Sequence, residues 1–153
     1  RASNEKYNTH WRTAINTNMF GPHDRTGEHA HVIGALMQKF VDACKNNSDK
    51  IEIWGSGKPK REFLFVDDLA EALFFILEKY NQLEPINIGS GSEISIKKII
   101  GFNGELTFNK KYPDGVKRKF LDSSKIKKLG WKPKTTLDKG LKLTVDWFIK
   151  NKC

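Results

Sequence analysis

The sequence predicts an α/β fold, on three observations. Short apolar runs of strand length alternate along the chain with longer stretches whose apolar residues recur at helical spacing. Gly, Pro, Ser and Asp cluster at the borders between them, where turns and caps are needed. Hydrophobic residues make up 38% and aromatic residues 11% of 153 residues, enough to build a packed core in one domain or the larger part of one.

In order, WRTAINTNMF (11–20) reads as a buried strand that runs into the turn GPHD (21–24), followed by a polar loop over 25–30. HVIGALMQKFVDACKN (31–46) has apolar residues at 32, 33, 36, 37, 40, 41 and 44, the stripe of an amphipathic helix. IEIW (51–54) and EFLFV (62–66) are strands joined by the loop GSGKPK, and DDLAEALFFILEKY (67–80) is a second amphipathic helix with Asp67 or Asp68 placed to cap it. PINIG (85–89) is a strand ended by GSG, and SEIS (92–95) offers cap residues for a short helix at 95–100. GELTFN (104–109) is a strand and YPDGVKRK (112–119) a turn with a basic tail. SSKIKKLG (123–130) is a short helix between Ser and Gly, and 137–151 a final amphipathic helix.

Composition narrows the class. No apolar run approaches the ~18 residues of a membrane span, and the polar, mixed opening lacks the pattern of a secretory signal. Two distant cysteines, Cys44 and Cys153, make neither a disulfide framework nor a metal site, so the default expectation is a reduced, cytoplasmic protein. The chain opens on Arg1 with no strong periodicity, which suggests that it begins inside something larger. Charge is uneven: residues 97–153 hold 16 Lys and Arg against 5 Asp and Glu, and residues 1–96 hold 11 against 13. A basic half suggests an anionic partner, whether nucleic acid, a membrane surface or a phosphorylated small molecule; a solvated Lys-rich surface is the bland alternative.

The stretch WGSGKPKREFLFVDD (54–68) concentrates unusual chemistry. Trp54 can stack on a flat ring, the glycines admit a close backbone approach, and Arg61 can fork onto phosphate oxygens. Equally, Trp54 can be core and Arg61 a surface charge. His31 opens the first amphipathic helix, where it can serve as general acid or base, as a cap or as a surface residue. The neighbouring His29 brings no further ligands, so no metal site is expected. Asp114 sits in a PDG turn, where a structural duty is ordinary, and Lys117–Lys119 can meet a diphosphate, a nucleic acid or simply solvent. Neither GSGKPK nor GSGS has the spacing of a phosphate loop, and no dinucleotide-binding glycine fingerprint follows an opening strand.

Five stretches in sequence, NTNMFGPHD (16–24), HVIGALMQKF (31–40), WGSGKPKREFLFVDDLAEA (54–72), INIGSGSEISIKK (86–98) and YPDGVKRKFLDSSKIKKLGWKP (112–133), closely resemble the C-terminal half of the GDP-L-fucose synthases. These are GDP-4-keto-6-deoxymannose epimerase-reductases of the extended short-chain dehydrogenase/reductase superfamily, and the similarity runs from about Trp11 to about Asn151. The resemblance implies the C-terminal substrate-binding part of such an enzyme, with the last part of a Rossmann sheet at its N-terminus. Residues 1–24 are then the end of the NADP-binding domain and 25–153 the sugar-nucleotide-binding domain. The implied reaction inverts carbons 3 and 5 of the keto sugar and reduces carbon 4 with NADPH. By position, His31 corresponds to the catalytic acid, which also touches the cofactor. Lys39, Trp54, Arg61 and Asp114 correspond to substrate-binding residues, and Asn16, Thr17, Asn18 and Met19 to the stretch beside the nicotinamide. NADP, a GDP-sugar substrate and a homodimer of the full enzyme follow from the same likeness.

The departures matter. The glycine fingerprint, the Tyr-x-x-x-Lys pair, the catalytic Ser and the catalytic Cys have no counterpart. Tyr7 is followed at the Lys position by Trp11, and neither Cys44 nor Cys153 takes the Cys role. Asn16 replaces a Pro, and the 24–31 loop is one residue short. The helix after Ile94 stops at Ile100, about two turns early, which is expected to destabilise the fold or shift the sheet edge. The strand carrying TNMF is expected to lack neighbours, and the first amphipathic helix to expose a stripe that a missing half would cover. The isolated chain is expected to be inactive as an oxidoreductase. A non-catalytic relic, a half-enzyme needing a partner and, remotely, a basic nucleic-acid-binding module are the alternatives.

Overall fold

The structure, a computed structural model, describes residues 2–27, 30–99 and 105–152, with the backbone alone at 44, 97, 98 and 152. In chain order the elements are α1 (Ala2–Tyr7), β1 (Ala14–Asn16), β2 (Asn18–Phe20), α2 (Val32–Lys45), β3 (Lys50–Trp54), β4 (Lys60–Phe65) and α3 (Val66–Lys79). They continue with β5 (Ile86–Ile88), β6 (Glu93–Ser95), α4 (Ile96–Ile99), β7 (Glu105–Asn109), β8 (Arg118–Lys119), α5 (Ser124–Lys128) and α6 (Leu137–Lys152). The α/β alternation expected from the sequence is present.

β4 is the spine. Its C-terminal half runs parallel to β2, with Asn18 opposite Phe63 and Phe20 opposite Phe65. Its N-terminal half pairs antiparallel with β6 and parallel with β8. Successive side chains of a strand point to opposite faces, and β4 uses this to separate two cores. Phe63 and Phe65 join Ile33, Met37, Ile53 and Phe148 in one, beneath α2 and α6. Leu64 joins Ala72, Ile76, Ile88, Ile126 and Trp131 in the other, beneath α3 and α5. Two further parallel pairs complete the frame, β1 with β5 and β3 with β7.

Several sequence expectations are corrected. Residues 11–20 are not one buried strand. β1 and β2 belong to different sheets, and the chain crosses between them at Thr17. The amide of Thr17 donates to Ile88 O at 3.1 Å and its hydroxyl to Glu62 O at 3.1 Å, so one residue serves both sheets. Polar Asn16, Thr17 and Asn18 do not suit a strand buried on both faces, and the break places them where side chains can bond. The expected lack of neighbours is also corrected: β1 has β5 and β2 has β4.

Neither Asp67 nor Asp68 caps α3, whose N-cap position is Phe65 with no side-chain cap bond. Asp68 is buried and instead accepts the amides of Lys134 and Thr135, both at 3.0 Å, tying the approach to α6 onto α3. Residues 93–95 of SEIS form strand β6, because Lys60–Glu62 offer it a ladder, and Ser95 directly precedes α4. At α5 the amide of Ser124 is held by Asp122 Oδ1 at 2.9 Å, not by Ser123. Gly130 does end that helix, at φ +105°. The α2 stripe is covered, with Ile33, Leu36, Met37 and Val41 all buried against β3 and α6. The exposed apolar stripe lies on α3 instead, at Leu73, Phe74 and Leu77, with Phe74 72% exposed. The end of the helix at Ile100, the start of the strand at Gly104, His29 and Cys153 lie outside the described residues.

Candidate functional site

The predicted site residues fall into two separate clefts. The larger, of about 750 Å³, is lined by Lys39, Trp54, Arg61 and Asp114, with apolar walls from Leu36, Ile53, Pro59 and Ile96. Each comes from a different element: Lys39 from α2, Trp54 from the end of β3, Arg61 from β4, and Asp114 from the turn between β7 and β8. Secondary structure therefore fixes three of the four, and a loop carries the last.

That loop is fastened. Asp114 Oδ1 accepts the Ser56 amide at 2.7 Å and Oδ2 the Ser56 hydroxyl at 2.6 Å. These bonds, the hydroxyl first, hold the Asp114 carboxyl below the usual aspartate range. Gly55 makes the close approach possible: it sits at φ +80°, and a Cβ there would lie 2.4 Å from Asp114 Oδ1.

Trp54 is not core. It is 56% exposed, and Tyr112 stacks on it with ring centroids 4.3 Å apart and planes 14° from parallel. The Lys39 ammonium lies 4.7 Å from the Trp54 ring centre and donates to Glu52 O at 2.6 Å. Burial pulls the Lys39 pKa down, with the charge of Glu52 opposing. Arg61 Nη1 donates to Lys60 O at 2.8 Å. The cleft thus combines a flat aromatic platform, two cations and one fixed carboxylate.

The smaller cleft, of about 500 Å³, gathers Asn16, Thr17, Asn18, Met19 and His31, together with Phe20, Pro22, Asp24, Val66 and Lys119. Thr17 is buried and Asn18 half-buried, with Asn18 Nδ2 donating to Glu62 O at 2.8 Å, while Asn16 is exposed and its Nδ2 donates to Thr17 O at 3.0 Å. Met19, Pro22 and His31 line the same cleft. His31 is exposed immediately before α2, and its carbonyl accepts the Ala35 amide at 2.8 Å. Asp24 Oδ1 accepts the Arg25 amide at 2.8 Å, while its Oδ2 is buried with no hydrogen-bond partner among the described residues.

Glu62 holds the wall of the smaller cleft from behind, through Thr17 and Asn18, and the sequence reading missed it. Its side chain is fully buried, with 0% of the residue exposed. Oε1 accepts the Gly91 amide at 2.6 Å and Oε2 the Leu121 amide at 3.0 Å, while its carbonyl takes both Thr17 and Asn18. A carboxylate one residue from Arg61 in a sequence gives no sign of such burial. Ser56, Tyr112 and Asp24 were also passed over. Ser56 and Tyr112 find their partners 58 residues apart in the chain, beyond the reach of any local pattern.

The basic run 117–119 is divided. Lys119 lines the smaller cleft, Arg118 pairs with Glu93 at 2.5 Å, and the Lys117 carbonyl accepts the Lys60 amide at 2.9 Å. Lys134 and Lys142 are likewise paired, with Glu71 at 2.6 Å and Asp146 at 2.8 Å. Among the described residues no group of three or more potential metal ligands gathers, and no helix is long and apolar enough to cross a membrane.

Parallel strands, a cross-sheet switch at Thr17 and a cleft lined by Trp54, Lys39, Arg61 and Asp114 define a class that comparison makes specific. The model of the NAD dependent epimerase/dehydratase family matches residues 1–89, and the chain belongs to that family. It is 47% identical over 145 residues to GDP-L-fucose synthase 1 of Arabidopsis thaliana, covering 90% of this chain and 45% of that protein. It is 36% identical over 165 residues to GDP-L-fucose synthase of Escherichia coli, covering 97% and 51%. A solved GDP-L-fucose synthetase from Naegleria fowleri superposes with a TM-score of 0.82 at 33% identity, covering 92% of this chain and 46% of that one. The chain spans about half the length of the curated relatives it matches.

Proposed function

We propose that the chain is the substrate-binding half of an NADP-dependent 3,5-epimerase/4-reductase that converts GDP-4-keto-6-deoxy-D-mannose to GDP-L-fucose. In this reading residues 1–24 close the cofactor domain and 25–153 hold the sugar nucleotide. The observation that carries it is the segregation of the residues. Lys39, Trp54, Arg61 and Asp114 share one cleft, and Asn16–Met19 with His31 share the other. The relatives named above, GDP-L-fucose synthases across plant and bacterium, support the same substrate.

Each residue has a physical task. Trp54 stacks the base, a contact worth about 1–3 kcal/mol per base. Arg61 forks onto the diphosphate and Lys39 adds a second cation. Asp114 keeps the 112–115 turn against the 54–57 loop, fixing the width of the cleft. His31 exchanges the proton beside the sugar ketone during epimerisation.

The smaller cleft suits a nicotinamide ring. Met19 and Pro22 offer an apolar wall, and the unpartnered Asp24 Oδ2 suits an amide donor. Residues 16–19 and His31 would hold that end of NADPH, which supplies the hydride to carbon 4. The complete enzyme is proposed to be a cytoplasmic homodimer whose pairing surface lies largely outside this chain.

Thermal unfolding of the chain with and without GDP tests the binding part. A rise in Tm that saturates with GDP is expected; an unchanged Tm and unchanged Trp fluorescence contradict it. The chain alone should not oxidise NADPH in the presence of the keto sugar nucleotide, and turnover would refute the assignment of the missing catalytic groups to a separate half.

A further inference from the structure

Two residues lie against the ring of Trp54, which is still 56% exposed. Tyr112 stacks on one face, with centroids 4.3 Å apart and planes 14° from parallel. The Lys39 ammonium, 4.7 Å from the ring centre, is left the opposite face. The two covers differ in place. Lys39 lines the larger cleft beside Trp54, and Tyr112 does not. The lysine is thus the neighbour of the indole on the cleft side, and the tyrosine is not part of the cleft lining.

They differ in mobility too. Tyr112 rides on the turn that Asp114 fastens to Ser56 through two bonds of 2.7 and 2.6 Å. Lys39 is tethered by one 2.6 Å bond to Glu52 O at the end of a flexible four-carbon stem. Burial disfavours its charge where it rests, so an incoming anion offers the ammonium a better place.

Resting on the reading of this cleft as a nucleotide site, we propose that Lys39 is an exchangeable cover for Trp54. Its ammonium leaves the indole when a diphosphate enters, and the purine of the same ligand takes the vacated face. The ammonium and a base cannot share that face. A nucleoside without phosphate must displace the ammonium and gives it nothing in return. A nucleoside diphosphate displaces it and then binds it by a charge-assisted contact. The cover thereby makes recognition of the base depend on the diphosphate and discriminates against free nucleosides.

The test titrates guanosine and GDP calorimetrically into the wild-type chain, Lys39→Ala and Lys39→Ser. Both substitutions shorten a half-buried side chain at the cleft wall, and thermal unfolding confirms that each variant is folded. The expected result is a crossing of preferences. In both variants guanosine binds about 3-fold tighter, because the cation–π contact is gone, and GDP binds about 10-fold weaker, because its phosphate loses a cation. If wild type binds GDP but guanosine binds both variants no better than wild type, the exchange is overturned and the nucleotide reading stands. If wild type and variants bind neither ligand, the nucleotide reading is overturned and the exchange falls with it.

Discussion

Asp114 and Ser56 form a two-point clamp across the mouth of the larger cleft: both carboxylate oxygens are used, one by the amide and one by the hydroxyl of the same serine. The clamp places a loop residue with the accuracy that strands give Trp54 and Arg61. Asp114→Ala releases it. GDP binding should fall about 10-fold, the equivalent of about one good hydrogen bond, while the urea midpoint stays near that of wild type. Unchanged GDP affinity by calorimetry would separate the clamp from recognition.

The clamp also has a pH signature. The folded-state pKa of Asp114 is held below its unfolded value by the Ser56 bonds. Its contribution is therefore present above the unfolded pKa and lost as pH falls through the folded one. Loop closure should persist at pH 5 and fail only below about pH 4. Trp54 fluorescence, followed against Asp114→Asn as a reference without the transition, reads this directly. An opening centred between pH 5 and 6 would assign control to another group.

Glu62 should be the least replaceable carboxylate. Removing it leaves the amides of Gly91 and Leu121 buried without acceptors. Glu62→Ala should cost about 3–5 kcal/mol in urea unfolding and Glu62→Gln about 2 kcal/mol, since an amide can satisfy only one of the two donors. A loss under 1 kcal/mol for the alanine variant would show that water replaces the carboxylate.

Asp68 is the parallel case between α3 and α6. Asp68→Ala strands the Lys134 and Thr135 amides, and about 2–4 kcal/mol of stability should go with them. Hydrogen exchange should show faster opening of α6 than of α3. Equal protection in both helices would mean that the tie is not what seats α6.

What was legible in the sequence was periodic or adjacent. The α2 stripe at 33, 36, 37 and 41 repeats at helical spacing, so the helix was legible, although its burial against β3 and α6 was not. β4 was legible as an apolar run, though Lys60 and Arg61 extend it because β6 and β8 pair with them. The site residues were named through the resemblance, since Trp54 and Arg61 read by themselves were as well explained by core and surface. What was not legible was set by distant partners. Asp68 looks like a cap because the amides it serves lie 66 and 67 residues away. Residues 93–95 look like cap chemistry because the strand they join is 33 residues earlier in the chain. Thr17 splits an apparent strand because two sheets compete for it.

The most direct measurement is calorimetric titration of GDP into the wild-type chain and into a Trp54→Ala/Arg61→Ala double variant. The account predicts saturable binding to the wild type, and a loss of at least 100-fold in the variant, from about one stacking contact and one bidentate phosphate contact together. Equal affinity in the two proteins, or no binding to a folded wild-type chain, would contradict the claim that this cleft is the nucleotide site.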